Sequence, residues 1–239
     1  MQSNYKEYDF EKSRERMDEI LNSSDNNYLD KKEIPSRDSL TFTNGYYVYG
    51  SAIFVDMRGS KEYANNHRRP VLAKVYRSYI SELVALLNSF EKVRELYIEG
   101  DCVWAIYNTP LRSDINSVFN ISAKVNSLID TLNVKLKKKK YTQIKAGTGI
   151  HYSETLMIKA GYSGSGINEV TWIGTLVNET ADLCSKANKN GRSRSLVSNV
   201  FYNNLDKHNQ SLLTKCYNLD CYEGDYVNVK MNEWVEKNG

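Results

Sequence analysis

Between Tyr46 and Asp56 the chain runs YYVYGSAIFVD, an unbroken stretch of β-branched, aromatic and small residues with a single acid at its end. A strand apolar on both faces must be covered on both sides, so this segment belongs at the centre of a sheet. Its surroundings then limit the fold. Pro70 to Phe90 places Val71, Val75, Tyr79, Leu83 and Leu86 at helical spacing. Val93 to Ile98 and Cys102 to Tyr107 are short strands around Glu99-Gly100-Asp101, a tight hairpin. Ile115 to Leu136 returns to helical spacing through Val118, Ile121, Val125, Leu128 and Leu132. Gln143 to His151 and Thr155 to Gly161 read as strands, Val170 to Ile173 as another, and a third helix runs from near Gly174 to near Asn188. The order β-α-β-β-α-β predicts an α+β fold, a ferredoxin-like antiparallel sheet with helices on one face. Beyond it short strands alternate with one small helix, and Trp234 is expected to cap the C-terminal strands.

A chain of 239 residues, 41% hydrophobic, has material for a real core, which excludes global disorder. Residues 1–44 are expected to form an N-terminal helix (8–22) and a polar, turn-rich arm, with one domain over 45–239. A net charge of +3 gives no reason to expect nucleic acid as a partner, and Lys137 to Lys140 reads as a solvated helix end that suits the macrodipole. Cys102, Cys184, Cys216 and Cys221 show no metal-ligand spacing and read as reduced thiols. The polar start, Met1 to Asp9, lacks the apolar region of a signal peptide, and no apolar run reaches the roughly 20 residues of a membrane span. A soluble cytoplasmic protein with no membrane partner is therefore expected.

Asp56 closes the central strand, and Asp101 sits in the hairpin turn. Each alone is an ordinary turn former. In a β-α-β-β unit, however, a strand end and a hairpin tip can be neighbours, and two carboxylates there form a hard oxygen site for Mg²⁺ or Mn²⁺. After Asp56 the backbone turns through Met57, Arg58, Gly59 and Ser60 towards a helix, where main-chain N–H groups can cradle phosphates.

The strand FVDMRGS, the hairpin EGDCVWAIY and the segment KAGTGIHYSETLMIKAGYSG…TWIGTLVNETADL resemble class III adenylate and guanylate cyclases over about residues 46–200. The resemblance implies that Asp56 and Asp101 hold two divalent ions, Mn²⁺ or Mg²⁺, at which a nucleoside triphosphate is closed into a 3′,5′-cyclic nucleotide with loss of pyrophosphate. Asn178 matches the asparagine that orients the ribose, and Lys145 a basic residue that contacts phosphate. The resemblance also implies a homodimer whose sites are composite.

Some positions depart from that pattern. Asp182 stands where the family carries its transition-state arginine. Lys186, a further turn along the same face, is the candidate replacement, with Arg192 and Arg194 as alternatives. A lysine expected near the C-terminal strands is either Lys215 or Lys230. The base-reading positions hold Tyr97 and Thr171 in place of the purine readers, a combination that suits a single-ring base. In this the chain resembles the pyrimidine (Pycsar-type) cyclases of bacterial anti-phage defence, which implies UTP, or else CTP, as substrate and a separate effector protein for the cyclic product. A purine cyclase and an inactive nucleotide-binding homologue remain the alternatives. His67, His151 and His208 are assigned no catalytic role.

Overall fold

The sheet is organised by its two longest strands. In the computed structural model, which describes residues 3–239, β2 (Gly45–Arg58) and β5 (Lys145–Tyr162) pair antiparallel from Gly45↔Ile158 to Arg58↔Lys145. The expected break between two strands near Ser153 does not occur. Tyr152 to Glu154 is polar enough to mimic a turn, but these residues keep their ladder with Tyr49 to Ser51, with Tyr152 packed against the core and Glu154 exposed. On the other side of β2 lie β4 (Cys102–Tyr107) and then β3 (Val93–Glu99), both antiparallel. Beyond β5 the sheet continues through β7 (Ser195–Ser198), β9 (Cys221–Gly224) and β8 (Thr214–Lys215), with the β5–β7 step parallel. The far half of β5 pairs instead with β6 (Ile167–Ile173), and the two form an arm.

Strand alternation sorts β2 into two cores. Ile53, Val55 and Met57 face α3 (Arg69–Leu87) and α4 (Arg112–Lys138), so the two helices of the β-α-β-β-α-β core share one face as the pattern predicts. Val75, Tyr79, Leu83 and Leu87 bury the inner stripe of α3, which begins with Pro70 in its first turn. At the start of α4, Asp114 accepts from the N–H of Leu111 at 3.1 Å, satisfying an otherwise orphaned donor.

Ala52 and Phe54 point to the opposite face, where α5 (Thr175–Lys186) and the β5–β6 arm cover them. The glycines of the Gly147-Thr148-Gly149 stretch make this possible. A Cβ on Gly149 would run into the α5 backbone at Thr180 and Cys184, so the helix lies directly on β5.

The segment before Gly45 is tied to this same face. After α1 (Phe10–Leu21), β1 (Tyr28–Asp30) pairs parallel with the start of β2, and Ile34 and Leu40 are both 3% exposed beside Phe54 and Trp104. The Ile34 N–H donates to the side chain of Asn108 at 2.9 Å. Trp234 does not cap strands. It lies on α8 (Val229–Asn238), 5.2 Å below the Lys135 ammonium of α4, because the C-terminal segment is helical and packs on that helix. The short helices α2 (Ser60–Asn65), α6 (Asn199–Asn204) and α7 (Lys207–Ser211) complete the chain. No helix among the described residues is long and apolar enough to cross a membrane.

Candidate active site

Asp56 and Cys102 are cross-strand partners, which brings Asp101 next to Asp56 at the end of the sheet. Burial and then the like charge of Asp101 push the Asp56 carboxyl above its ordinary range, and Arg58 pulls against both. Among the described residues no cluster of three or more His, Cys, Asp or Glu side chains could hold a metal. A cation here would thus have two side-chain carboxylates and would complete its shell with main-chain oxygen, water or phosphate. That donor set suits a hard ion arriving with a triphosphate, so the residues present fit a nucleotide-bound Mg²⁺ or Mn²⁺.

The four residues after Asp56 divide their roles. Met57 is 3% exposed and packs in the α3–α4 core, so only its main chain can meet a ligand. Gly59 takes φ +66° as it turns the chain into α2, whose first residue is Ser60. Arg58 points inward, its side chain only 7% exposed. Its Nη1–H donates to Asp56 Oδ2 at 2.5 Å and its Nε–H to the Ala187 carbonyl at 3.0 Å, while Nη2–H donates to the Cys184 carbonyl. The guanidinium is therefore spent between Asp56 and the end of α5, which leaves the main chain of Arg58 for the expected phosphate cradle. Lys145 is exposed at the start of β5, paired across the sheet with Arg58.

α5 carries three further candidates. Asn178 is exposed on its first turn. It precedes Cys184, whose carbonyl meets Arg58, by six residues, or about 9 Å of helix rise. Asp182 is paired with Lys186, Nζ to Oδ2 at 2.5 Å, an i, i+4 bridge that neutralises the acid in the arginine position. Arg194, one of the alternatives to Lys186, is engaged elsewhere, bonded through Nη1 to both carboxylate oxygens of Asp130 at 2.8 and 2.9 Å.

Tyr97 and Thr171 sit in different surroundings, the first enclosed and the second exposed. Tyr97 stacks on Trp104 with ring centroids 3.9 Å apart, and Trp104 stacks in turn on Phe54 at 4.7 Å. The Tyr97 hydroxyl donates to the Val170 carbonyl at 2.8 Å and accepts from Trp172 Nε1–H at 3.1 Å. Val170 and Trp172 face inward from β6, so strand alternation turns the intervening Thr171 outward, where it is exposed.

Several residues near the carboxylates escaped the sequence reading. Lys189, in the loop after α5, adds a positive charge that offsets a small part of the upward shift that burial imposes on Asp56. Tyr79, from α3, is buried with a hydroxyl that has no hydrogen-bond partner, and burial followed by the charge of Asp56 raises its pKa. Cys184 meets Arg58 through its main-chain carbonyl, for which no residue-type signal exists, and through its Sγ, 3.7 Å from Nη2, while the thiol donates to the Gly147 carbonyl at 3.3 Å. Gly147 was visible, but its reason was not: a Cβ there would occupy the seat of the Arg58 guanidinium.

Comparison with known proteins places this geometry. A protein of Treponema porcinum named uridylate cyclase is 38% identical over 237 residues, covering 96% of this chain and 82% of its own. A second uridylate cyclase, from Gulbenkiania mobilis, is 38% identical over 258 residues and covers both chains fully. The chain belongs to the uridylate cyclase family. Among solved structures, a class III adenylyl cyclase-like ATP-binding protein from Pseudomonas aeruginosa superposes with a TM-score of 0.71 at 17% identity, over 93% of this chain and 48% of that one. The guanylyl cyclase Cya2 gives 0.63 at 13% identity, over 77% and 95%. These likenesses establish the class III cyclase fold for this uridylate cyclase family member, with the central β-α-β-β unit and α5 as its frame. No protein-family model matches the chain.

Proposed function

We propose that the protein converts UTP into 3′,5′-cyclic UMP and pyrophosphate, with two divalent ions, Mn²⁺ or Mg²⁺, held by Asp56 and Asp101. The observation that carries this reading is the pair of adjacent carboxylates at the end of β2 and β4, in a chain 38% identical to two proteins named uridylate cyclase. In the reaction the ribose 3′-oxygen bonds to the α-phosphorus as the bond to pyrophosphate breaks, and the hydroxyl proton passes to water. When bound, the ions lower the pKa of that hydroxyl and neutralise the triphosphate. The chain's own groups position the rest. Main-chain N–H groups over Met57 to Ser60 and the ammonium of Lys145 face the phosphates, while Lys186, held by Asp182, supplies the cation that Asp182 cannot.

The base end favours a single ring. The Phe54–Trp104–Tyr97 stack fills the space beside β6, and Tyr97 has no donor left for a base because its hydroxyl is already donated to Val170. Thr171 can both donate and accept and is the free polar side chain at the rim. The active form is a homodimer: Asn178 stands on the first turn of α5, whereas Arg58, which holds the Asp56 of the same chain, meets the other end of that helix. Asn178 of a second copy then completes each site. The cyclic product acts on a separate effector in anti-phage defence.

The test is direct. Purified protein is incubated with each of the four nucleoside triphosphates and Mn²⁺, and products are identified by mass spectrometry. Cyclic UMP as the main product is expected. Cyclic CMP or a cyclic purine nucleotide as the main product would replace the substrate assignment, and no cyclic product at all would remove the activity.

A further inference from the structure

We infer that Arg58 is a positioning residue that fastens the metal-binding carboxylate of Asp56 to the C-terminal turn of α5, so that metal occupancy and the placement of α5 are coupled. The inference rests on the metal role proposed for Asp56. Its geometry does not. One guanidinium bonds Asp56 Oδ2 through Nη1, the Ala187 carbonyl through Nε and the Cys184 carbonyl through Nη2. Three directions from one planar group is what arginine provides and lysine does not. The Cys184 carbonyl accepts at 3.2 Å from the Ala187 N–H and has a second lone pair for Arg58, and a cation at a helix C-terminus is favoured by the macrodipole. The side chain is 7% exposed, so water does not compete for these bonds.

The seat for this group is built into the sheet. Gly147 lies across from Asp56 in the β2–β5 ladder, and the space its missing side chain leaves is filled by the guanidinium itself. Two sequence-distant features, the Arg two residues after the metal Asp and the first Gly of Gly147-Thr148-Gly149, thus serve one contact. The same helix carries Asn178 and Lys186. A cation approaching Asp56 meets an oxygen already bonded to Arg58, and any shift of Arg58 pulls on α5 through two main-chain carbonyls. Arg58 is therefore a competitor for the carboxylate and a strut for the helix at once.

These two roles predict opposite movements when the charge is removed. In Arg58→Met, Mn²⁺ should bind several-fold more tightly, measured by electron paramagnetic resonance of free Mn²⁺ in the presence of α,β-methylene-UTP. Amide exchange over residues 180–190 should rise, and kcat should fall about tenfold with little change in KM. Arg58→Lys, which restores the charge but not the fork, should return Mn²⁺ affinity towards wild type while leaving α5 loosened, and it replaces the methionine variant should that one not fold. Gly147→Ala, which removes the seat and leaves the charge, should raise exchange over the same residues. Unchanged Mn²⁺ affinity in Arg58→Met, or wild-type exchange in α5 for both Arg58→Met and Gly147→Ala, overturns the inference. Failure of the cyclase assignment appears separately, as wild-type protein that forms no cyclic nucleotide while exchange still reports the Arg58 contact.

Discussion

Tyr97 and Trp172 are joined across the sheet face by a hydrogen bond, indole Nε1–H to phenol oxygen at 3.1 Å, and the phenol passes its own proton to the Val170 carbonyl at 2.8 Å. Burial pushes the Tyr97 hydroxyl well above its usual range, so it stays neutral. Its influence on the base is thus one of shape. Tyr97→Phe should cost about 1 kcal/mol of stability and leave the order of the four triphosphates unchanged. Tyr97→Ala opens the stack and should raise ATP and GTP use relative to UTP by about 1–3 kcal/mol in kcat/KM. Steady-state rates with all four substrates decide, and a changed order in Tyr97→Phe would give the hydroxyl a direct part in base selection.

The carboxylates can be separated from the fold. Asp56→Asn keeps an oxygen for Arg58, and Asp101→Asn removes only a turn charge, so both proteins should melt within a few degrees of wild type. Neither should form cyclic nucleotide, because each lowers the charge available to the ions. Normal turnover in either, with divalent metal still required, rules out the two-carboxylate site.

His151 supplies a pH test unrelated to catalysis. It is buried beside Ser198 with Nε2 unpartnered, and burial lowers its pKa to about 4. The unfolded chain takes up this proton first, so the stability held by neutral His151 is complete above its ordinary value near 6.5. It is lost as pH falls from there towards the folded value. The melting temperature should drop between about pH 7 and about pH 5, and less steeply in His151→Gln. Parallel pH profiles for the two proteins would show that other groups carry the acid sensitivity.

Lys186 and Asp182 make a graded pair. If the ammonium acts at the transition state, Lys186→Ala should lower kcat about tenfold with KM nearly constant. Asp182→Ala, which frees the lysine without removing it, should cost only a few-fold. Equal activity in Lys186→Ala would move attention to Arg192, since Arg194 is engaged with Asp130.

Mixing tests the shared site. Asp56→Ala and Asn178→Ala proteins should each be inactive, yet a heterodimer of the two should regain one intact site beside one doubly damaged site. Activity should therefore rise with the fraction of heterodimer after subunit exchange. Purified heterodimers that stay inactive would mean that Asp56 and Asn178 act within one chain.

Much of the fold was written in local patterns. The unbroken apolar run of Tyr46 to Asp56 and the apolar stripes of α3 and α4 report burial directly, and these elements appear where the pattern puts them. The adjacency of Asp56 and Asp101 follows from a strand end meeting a hairpin tip. What stayed hidden depends on contacts made at a distance. Ile34 and Leu40 look like stray apolar residues in a polar arm until the face of β2 and β4 exists to receive them. The inward turn of Arg58 depends on the absent side chain of Gly147 and on two carbonyls of α5, none of which leaves a mark near residue 58. The outward turn of Thr171 is set by Trp172, whose indole is claimed by Tyr97.

The direction in which α5 lies also bears on inheritance of a defect. Its last turn holds Arg58, and through it the Asp56 of its own chain, while in the proposed homodimer its first turn offers Asn178 to the other copy. A chain damaged at only one of those ends still leaves a wild-type companion one working site. A chain carrying Asp56→Ala and Asn178→Ala together spoils both sites of any dimer it enters. Co-expressed at equal levels with random pairing, it should silence about three quarters of the dimers, so the doubly mutated gene would be dominant where each single mutation is close to recessive.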